Sequence, residues 1–241
     1  WELGFLKDVV ENKENFAELQ SQEYIRYEDM PLETKSGKTI HVEFVSNVYL
    51  VDTIKVIQCN IRNITDRKLD EVKLHRLSQL YRVISHCNEI LVRAVDEEEL
   101  ATSMCQMLAN EECFAAAWVG YTEQGADTRI RVVGAAGVTK SELESLSLTW
   151  ADEGFGKGVV GNAIRTGQVV VCNDFDKDPL AETELLRGFR SGYSSIVALP
   201  LIADQAVFGA LVVRGVRPNE FSDEIVELLG ELAGDLAFGV A

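Results

Sequence analysis

The spacing of apolar side chains predicts that the chain starts with a small β-rich segment. Residues 1–20 have apolar positions three and four apart, which is typical of one or two short amphipathic helices. The next two segments, 23–33 and 39–50, flank a turn at Gly37, and apolar and polar residues alternate in the second of them. Because residues 56–62 alternate in the same way, we predict a three-stranded antiparallel meander.

One long helix is predicted to follow, from Asn63 to Val92. Its apolar residues recur at intervals of three and four, the spacing that keeps a single seam on a helix wound against a partner helix. The preceding equivalent positions are Lys73 and Asp70, so the seam is expected to start only at its first leucine. The predicted dimer seam consists of Leu77, Leu80, Ile84, Cys87 and Leu91. We expect this helix to be a signalling connector that pairs two copies of the chain in a homodimer.

The remainder of the chain predicts a larger domain in which helices and strands are mixed. An amphipathic helix at 97–110 precedes two strands, and a last hairpin at 195–214 precedes a closing helix that Ser222 caps. Between them lie short helices and a strand at 169–172. This order predicts an α+β fold, in which helices flank an antiparallel sheet.

Two stretches of the chain resemble known families, and the first is the β-rich segment. The sequence YIRYEDMPLETKSGKTIHVEFVSNVYLVDTIKVIQCNIRNITDRK resembles the C-terminal half of a PAS sensory domain. Its closing signature has Asn63 where the family has an acidic residue, and the first two strands of the family's sheet are absent. The resemblance implies a partial PAS domain over residues 1–66. Its strand at 56–62 is then an open edge, which we expect a helix from residues 1–20 or a second chain to cover.

The second resemblance lies in the larger domain. The stretches FGKGVVGNAIRTGQVVVCNDFDKDP, GYSSIVALPLIADQAVFGALVV and FSDEIVELLGELAGDLAFGV look like successive motifs of a GAF domain. The two resemblances divide the chain into a partial PAS domain (1–66), a connector helix (67–91) and a GAF domain (92–241). This order is similar to the sensory half of bacterial or archaeal sensor histidine kinases and cyclic-di-GMP signalling proteins. It implies an unknown small-molecule ligand and a downstream effector domain in the parent protein.

The GAF resemblance also implies which residues line the ligand pocket. The pocket candidates are Trp118, Phe155, Cys172, Asp174, Arg187, Tyr193 and Ser195. Core packing explains Trp118 and Phe155 equally well, and a buried cysteine such as Cys172 acts more often as a small hydrophobe than as a reactive thiol. The identity of the ligand and of any cofactor stays open.

Several motifs in the larger domain could suggest a cofactor or a metal, but each lacks a necessary part. The run Gly156–Gly161 matches GxGxxG, yet only seven residues separate it from the next strand, too few for a parallel βαβ crossover. Asp174, Asp176 and Asp178 alternate without the glycine and the bidentate glutamate of a calcium loop. No histidine follows His86, which excludes a haem held by an imidazole of this domain. Bilin attachment is disfavoured because the family's Asp-Ile-Pro signature is missing, so we expect no metal, haem or bilin.

Charge and cysteine content limit which partners the protein can bind and in which compartment of the cell we expect it. The net charge is −16, of which −13 falls on residues 92–241, and so acidic a surface repels nucleic acids and anionic membranes. The most apolar stretch, 196–213, contains polar residues and a proline, which argues against a membrane span. Five cysteines with no CxxC spacing and no secretory leader indicate reduced thiols, and hence a cytoplasmic protein.

Together these features favour a sensory or regulatory input module that is not itself an enzyme. Two alternatives stay open. One branch of GAF-like proteins reduces methionine sulfoxide with paired cysteines, which here would require Cys105, Cys113 and Cys172 to converge. The other alternative is a structural dimerisation module without a ligand.

Overall fold

The computed structural model describes most of the chain, in two compact units that divide between His75 and Arg76. The described residues are 24–34, 36–93, 96–109, 114–123, 128–182 and 192–240, without the side chains of residues 88–93, 155, 181 and 182. The helices expected within 1–20 and 183–189 lie outside the described residues, as do Cys113 and Arg187. In the described part of the chain, no helix is long and apolar enough to cross a membrane.

The first unit contains a three-stranded antiparallel sheet of order β1-β2-β3. Its strands are β1 (Tyr24–Glu33), β2 (Thr39–Val51) and β3 (Ile54–Asn63). Because side chains alternate between the two faces of a strand, every second residue of β2 from Val42 to Val48 is buried. Most side chains of β3 are exposed, and Ile61 is 43% exposed. Among the described strands β3 pairs only with β2, so the covering of its outer edge stays a prediction.

The first helix, α1 (Thr65–Arg93), begins directly after β3. The carboxamide oxygen of Asn63 accepts hydrogen bonds from the Thr65 N–H (2.9 Å) and from the Thr65 hydroxyl (2.6 Å). The same hydroxyl oxygen accepts the His41 N–H of β2 at 2.9 Å. The amide at position 63 therefore fixes the start of the helix by hydrogen bonding and without an ion pair.

The apolar stripe of α1 packs inside this chain. Leu80, Ile84 and Cys87 are 2%, 7% and 0% exposed and belong to the core of the second unit, and Leu77 is half-buried against that core. The side chain of Leu91 is outside the description. These three side chains pack in the core of their own chain, and their assignment to a dimer seam stays a prediction. The sequence could not separate the two cases, because a helix packed on its own domain and a helix in a dimer show the same spacing.

The second unit is an α+β fold around a five-stranded antiparallel sheet of order β5-β4-β8-β7-β6, as the element order predicted. The strands are β4 (Ala116–Thr122), β5 (Ile130–Ala136), β6 (Val170–Cys172), β7 (Ser195–Ala203) and β8 (Ala206–Gly215). The described helices of this unit beyond α1 are α2 (Glu97–Leu108), α3 (Lys140–Ser145), α4 (Val159–Thr166) and α5 (Asp223–Val240).

The sheet of the second unit has two buried faces. We call the side packed against α1, α2 and α5 the helix face, and its core includes Val119, Val197 and Val213. We call the side packed against α3, α4 and residues 173–180 the loop face. Successive strand residues alternate between the faces, so Trp118 and Val212 belong to the loop face.

Candidate ligand-binding site

Three of the expected pocket residues lie on the loop face. Trp118 on β4 and Cys172 at the end of β6 belong to one buried cluster, and Tyr193, just before β7, packs against it. Their strands are not neighbours, because β8 and β7 lie between β4 and β6 in the sheet. The loop face is therefore the surface of the candidate site, and the pocket assignment of these residues stays a prediction.

Trp118 supplies a polar group at the centre of this face. The side chain is 1% exposed, and its indole Nε1 has no hydrogen-bond partner among the described residues. The same holds for the indole Nε1 of Trp150, which packs against the same cluster. An unsatisfied buried donor costs about 1–3 kcal/mol, so an acceptor brought by a ligand or a water would stabilise either one.

Tyr193 and Arg214 form the polar wall of the site. The Tyr193 hydroxyl donates a hydrogen bond to the Gly137 carbonyl oxygen at 3.0 Å, which fixes the ring. The guanidinium carbon of Arg214 lies 5.4 Å from the centroid of that ring, within the range of a cation–π interaction. Burial lowers the pKa of Arg214 to about 10, because the charged form loses hydration. Arg214 still carries its positive charge at neutral pH.

Arg214 is not among the residues that the sequence predicted for the site. Arg214 is the penultimate residue of β8 and follows the apolar run Ala210–Val213. Only 5% of its surface is exposed. The sequence does contain a feature that could have predicted Arg214 as a site residue. Arg214 is two positions from Val212, and residues two apart lie on the same face of a strand. A charged residue on a strand that is otherwise apolar on both faces indicates a site.

Cys172 lies in the apolar part of the loop face. It is fully buried, and this burial raises the pKa of its thiol to about 12, with a further contribution from the nearby Asp178 carboxylate. A thiol with so high a pKa is almost entirely protonated at neutral pH, and the protonated form is a poor nucleophile. Its surroundings therefore suit a packing role better than a reactive one.

Asp174 is engaged in its own turn. Its carboxylate accepts hydrogen bonds from the Lys177 ammonium at 2.7 Å and from the Asp176 N–H at 3.0 Å. The hydrogen bond from Lys177 is the main cause that lowers the pKa of Asp174. Asp178 similarly accepts the Leu180 N–H at 2.9 Å. Across the described residues, no three histidine, cysteine, aspartate or glutamate side chains are arranged to hold a metal ion.

Ser195 lies away from these residues, on the helix face. Its hydroxyl donates to the Arg217 carbonyl oxygen at 2.8 Å, in the segment between β8 and α5. The structure thus separates Ser195 from the loop-face cluster. Two candidates cannot be placed relative to the others, because the side chain of Phe155 and all of Arg187 lie outside the described residues. The pocket assignment of all seven residues stays a prediction.

The glycine-rich run Gly156–Gly161 serves close packing. A Cβ at Gly156 would overlap the carbonyl oxygen of Ala151, and one at Gly161 would overlap the carbonyl oxygen of Gly156. Arg165, on the last turn of α4, donates to the carbonyl oxygens of Trp150 (2.8 Å), Ala151 (3.1 Å) and Gly156. The motif and this arginine together fasten residues 150–158 onto α4.

The described cysteines of the second unit do not form a reactive group. Cys105 lies on α2 at the helix face, whereas Cys172 lies at the loop face, so the sheet separates them. Burial also raises the pKa of the Cys87 and Cys105 thiols to about 12. Cys105 and Cys172 therefore cannot act as a pair in this arrangement.

The fold and the site define an α+β domain with a candidate small-molecule site on one face of its sheet. The model of the GAF domain family matches residues 94–241, and the chain therefore belongs to that family. GAF domains are typical of sensory and regulatory modules and are generally not catalytic. A search of curated proteins finds no match.

Solved structures resemble the second part of the chain in fold. A free methionine-R-sulfoxide reductase from Neisseria meningitidis, in complex with its substrate, is 20% identical with a TM-score of 0.55, covering 67% of this chain and 87% of that one. The GAF domain of an Acinetobacter phosphoenolpyruvate-protein phosphotransferase is 17% identical with a TM-score of 0.53, covering 69% and 92%. A putative GAF sensor protein from Burkholderia vietnamiensis is 18% identical with a TM-score of 0.52, covering 67% and 93%. At these identities the likeness establishes the fold alone.

Proposed function

We propose that this protein is the sensory input module of a signal-transduction protein, and that its GAF domain binds a small ligand at the loop face. The observation that carries the proposal is the buried guanidinium of Arg214, set against the ring of Tyr193 on the same face as Trp118. Burying a charge is costly, and folds keep buried charges mostly where they pair or bind.

The chemistry of the site favours a small anionic ligand. A positive charge in a region of low dielectric attracts an anion more strongly than it would in water, and a guanidinium offers five donors. Trp118 adds an indole N–H, and the aromatic rings supply flat apolar area. A planar carboxylate or phosphate compound would match all three features.

The rest of the module is proposed from the sequence. Residues 1–66 would be the C-terminal half of a PAS domain, to which the three-stranded antiparallel sheet lends support. Residues 67–91 would connect it to the GAF domain over residues 92–241, in a cytoplasmic homodimer with an effector domain beyond this chain. Because Leu80 and Ile84 are used internally, we expect the dimer to use exposed apolar side chains such as Tyr81 on α1 and Phe238 on α5.

A thiol-dependent methionine sulfoxide reductase is the second candidate, because such enzymes share this fold. The separation of Cys105 from Cys172 and the raised pKa of both thiols argue against it. Assaying thiol-dependent reduction of free methionine sulfoxide by the wild type and by Cys172→Ser distinguishes the two. Turnover that disappears in Cys172→Ser would establish the enzyme.

The proposal is tested by native mass spectrometry of the chain purified from its own host. We expect the wild type to retain a small molecule, Arg214→Gln to lose most of it, and Arg214→Lys to keep part of it. Arg217→Gln is the matched control, because Arg217 is exposed three residues further on. A ligand retained equally by Arg214→Gln and by the control would contradict the assignment of the site, and no retained ligand would contradict the sensory proposal.

A further inference from the structure

Within the second unit, an ion pair joins Arg76 of α1 to Glu220, in the segment before α5. Arg76, on α1, holds the carboxylate of Glu220 with 2.7 Å between Nη2 and Oε1, and the Glu220 side chain is only 6% exposed. The Arg76 guanidinium also lies 5.6 Å from the centroid of the Phe114 ring, which stacks on Phe221 with centroids 5.5 Å apart. The Glu220 side chain is buried and that of Arg76 is 27% exposed, so the pair is screened less by salt than a fully exposed pair would be.

Glu220 belongs to the segment that joins β8 to α5, and this segment is closely fixed. The other carboxylate oxygen of Glu220 accepts the Arg217 N–H at 3.2 Å, and the Arg217 carbonyl oxygen accepts the Ser195 hydroxyl at 2.8 Å. A Cβ at Gly215 would overlap the Glu220 carboxylate. The position of Glu220 therefore depends on the end of β8, immediately after Arg214.

Asn173 joins the loop face to the same segment. It follows Cys172 at the end of β6, and its side chain donates to the Phe221 carbonyl oxygen at 2.8 Å and accepts the Phe221 N–H at 3.0 Å. Its own carbonyl oxygen accepts the Asn219 N–H at 2.7 Å. Asn173 thus holds the residues on both sides of Glu220, although it belongs to the loop-face end of β6.

These contacts form one continuous chain from the candidate site to both long helices of the second unit. Towards the site it begins at Asn173, which lies between the candidates Cys172 and Asp174; towards the helices it ends at Arg76 on α1 and at Phe221, just before α5. We infer that the Asn173–Glu220–Arg76 chain is the coupling element through which a change at the loop face alters the packing of α1. The inference rests on the proposed function, since it assigns a route to the response of that site.

Coupling through Glu220 makes a prediction that a purely local role does not. Asn173→Ala removes two hydrogen bonds that position residues 219–221, and we expect Glu220 to lose its fixed placement against Arg76. Amide hydrogen exchange of α1 from Arg76 to Cys87 should then become about 5–10-fold faster, as expected for the loss of one charge-assisted contact. In an Arg76→Gln background, Asn173→Ala should add no further acceleration in α1, because the link is already broken.

The test is hydrogen exchange with mass spectrometry on the full chain without added ligand. Asn162→Ala is the matched control, because the Asn162 side chain on α4 donates to the Lys157 carbonyl oxygen and makes no described hydrogen bond to residues 219–221. In this variant, α1 should exchange as it does in the wild type. Asn173→Asp, which keeps the acceptor and loses the donor, serves as a milder variant if Asn173→Ala unfolds.

Two outcomes would overturn the inference. One is faster exchange confined to residues 173–175 and 219–221 with α1 unchanged. The other is an equal acceleration of α1 by Asn162→Ala. Both can be read without a ligand, so a failure here is distinguishable from a failure of the proposed function, which would appear as the absence of any retained molecule.

Discussion

The placement of Leu80 inside the chain makes a quantitative prediction. Leu80 is 2% exposed in the core of the second unit, whereas its neighbour Tyr81 is 59% exposed. Truncating a fully buried leucine to alanine costs about 2–5 kcal/mol, from lost transfer free energy and the cavity left behind. With a urea slope of about 2 kcal/mol per molar, Leu80→Ala should lower the unfolding midpoint of this unit by about 1–2.5 M.

The assay is urea unfolding followed by the fluorescence of Trp118 and Trp150, in a Trp1→Phe background, at two protein concentrations tenfold apart. We expect the shift caused by Leu80→Ala to be the same at both concentrations, because the contact lies within one chain. Ser85→Ala, at an exposed polar position of α1, is the control and should change stability by no more than about 0.5 kcal/mol. The reasoning would be refuted if the urea midpoint of the wild type rises with protein concentration while that of Leu80→Ala does not. That result would indicate that Leu80 lies in a dimer seam.

Two further predictions concern the loop face and its surroundings. Gly161→Ala should destabilise the protein, although alanine is the better helix former, because the new methyl group would overlap the Gly156 carbonyl oxygen; thermal unfolding measures it. Thr139→Ala should destabilise the start of α3 at pH 7, and the difference should shrink as the pH falls. The Thr139 hydroxyl is the main cause that lowers the pKa of Glu142 from its usual 4.5. Stability from a depressed carboxyl pKa is present above 4.5 and is lost as the pH falls through the folded-state value.

Each of these predictions has its own contrary result. For the helix glycine, Gly230→Ala on α5 is the matched control, since a Cβ there meets nothing within 4 Å and the substitution should stabilise by up to about 1 kcal/mol. Equal effects of Gly161→Ala and Gly230→Ala would mean that propensity decides both. For the hydrogen-bonded pair Thr139–Glu142 at the start of α3, a difference in melting temperature that stays constant between pH 7 and pH 3 would contradict the role given to Glu142.

The fold class followed from the sequence because periodicity reports which faces are buried. The strand near Val170 and the closing helix from Asp223 lie where their patterns predict them. Periodicity does not report what buries a face, so the stripe through Leu80 and Ile84 predicts a packed helix without identifying the surface that it packs against.

The candidate site stays a prediction, and the parity of the strand residues decides which of its members share a face. Trp118 and Cys172 have the parity that turns them to the loop face, but Ser195 has the opposite parity and turns to the helix face. Applying the same alternation to β8 would have brought Arg214 into the site. The hydrogen bonds of Asn173 to Phe221 could not be foreseen, because they join residues 48 positions apart in the sequence.

The central claim is that a small ligand binds on the loop face, and a crystal structure of the protein purified from its own host tests it most directly. We predict difference density for a small molecule on that face, in contact with Arg214 and at least one of Trp118 and Tyr193. Density that shows the loop face filled entirely by the protein's own side chains would contradict the account.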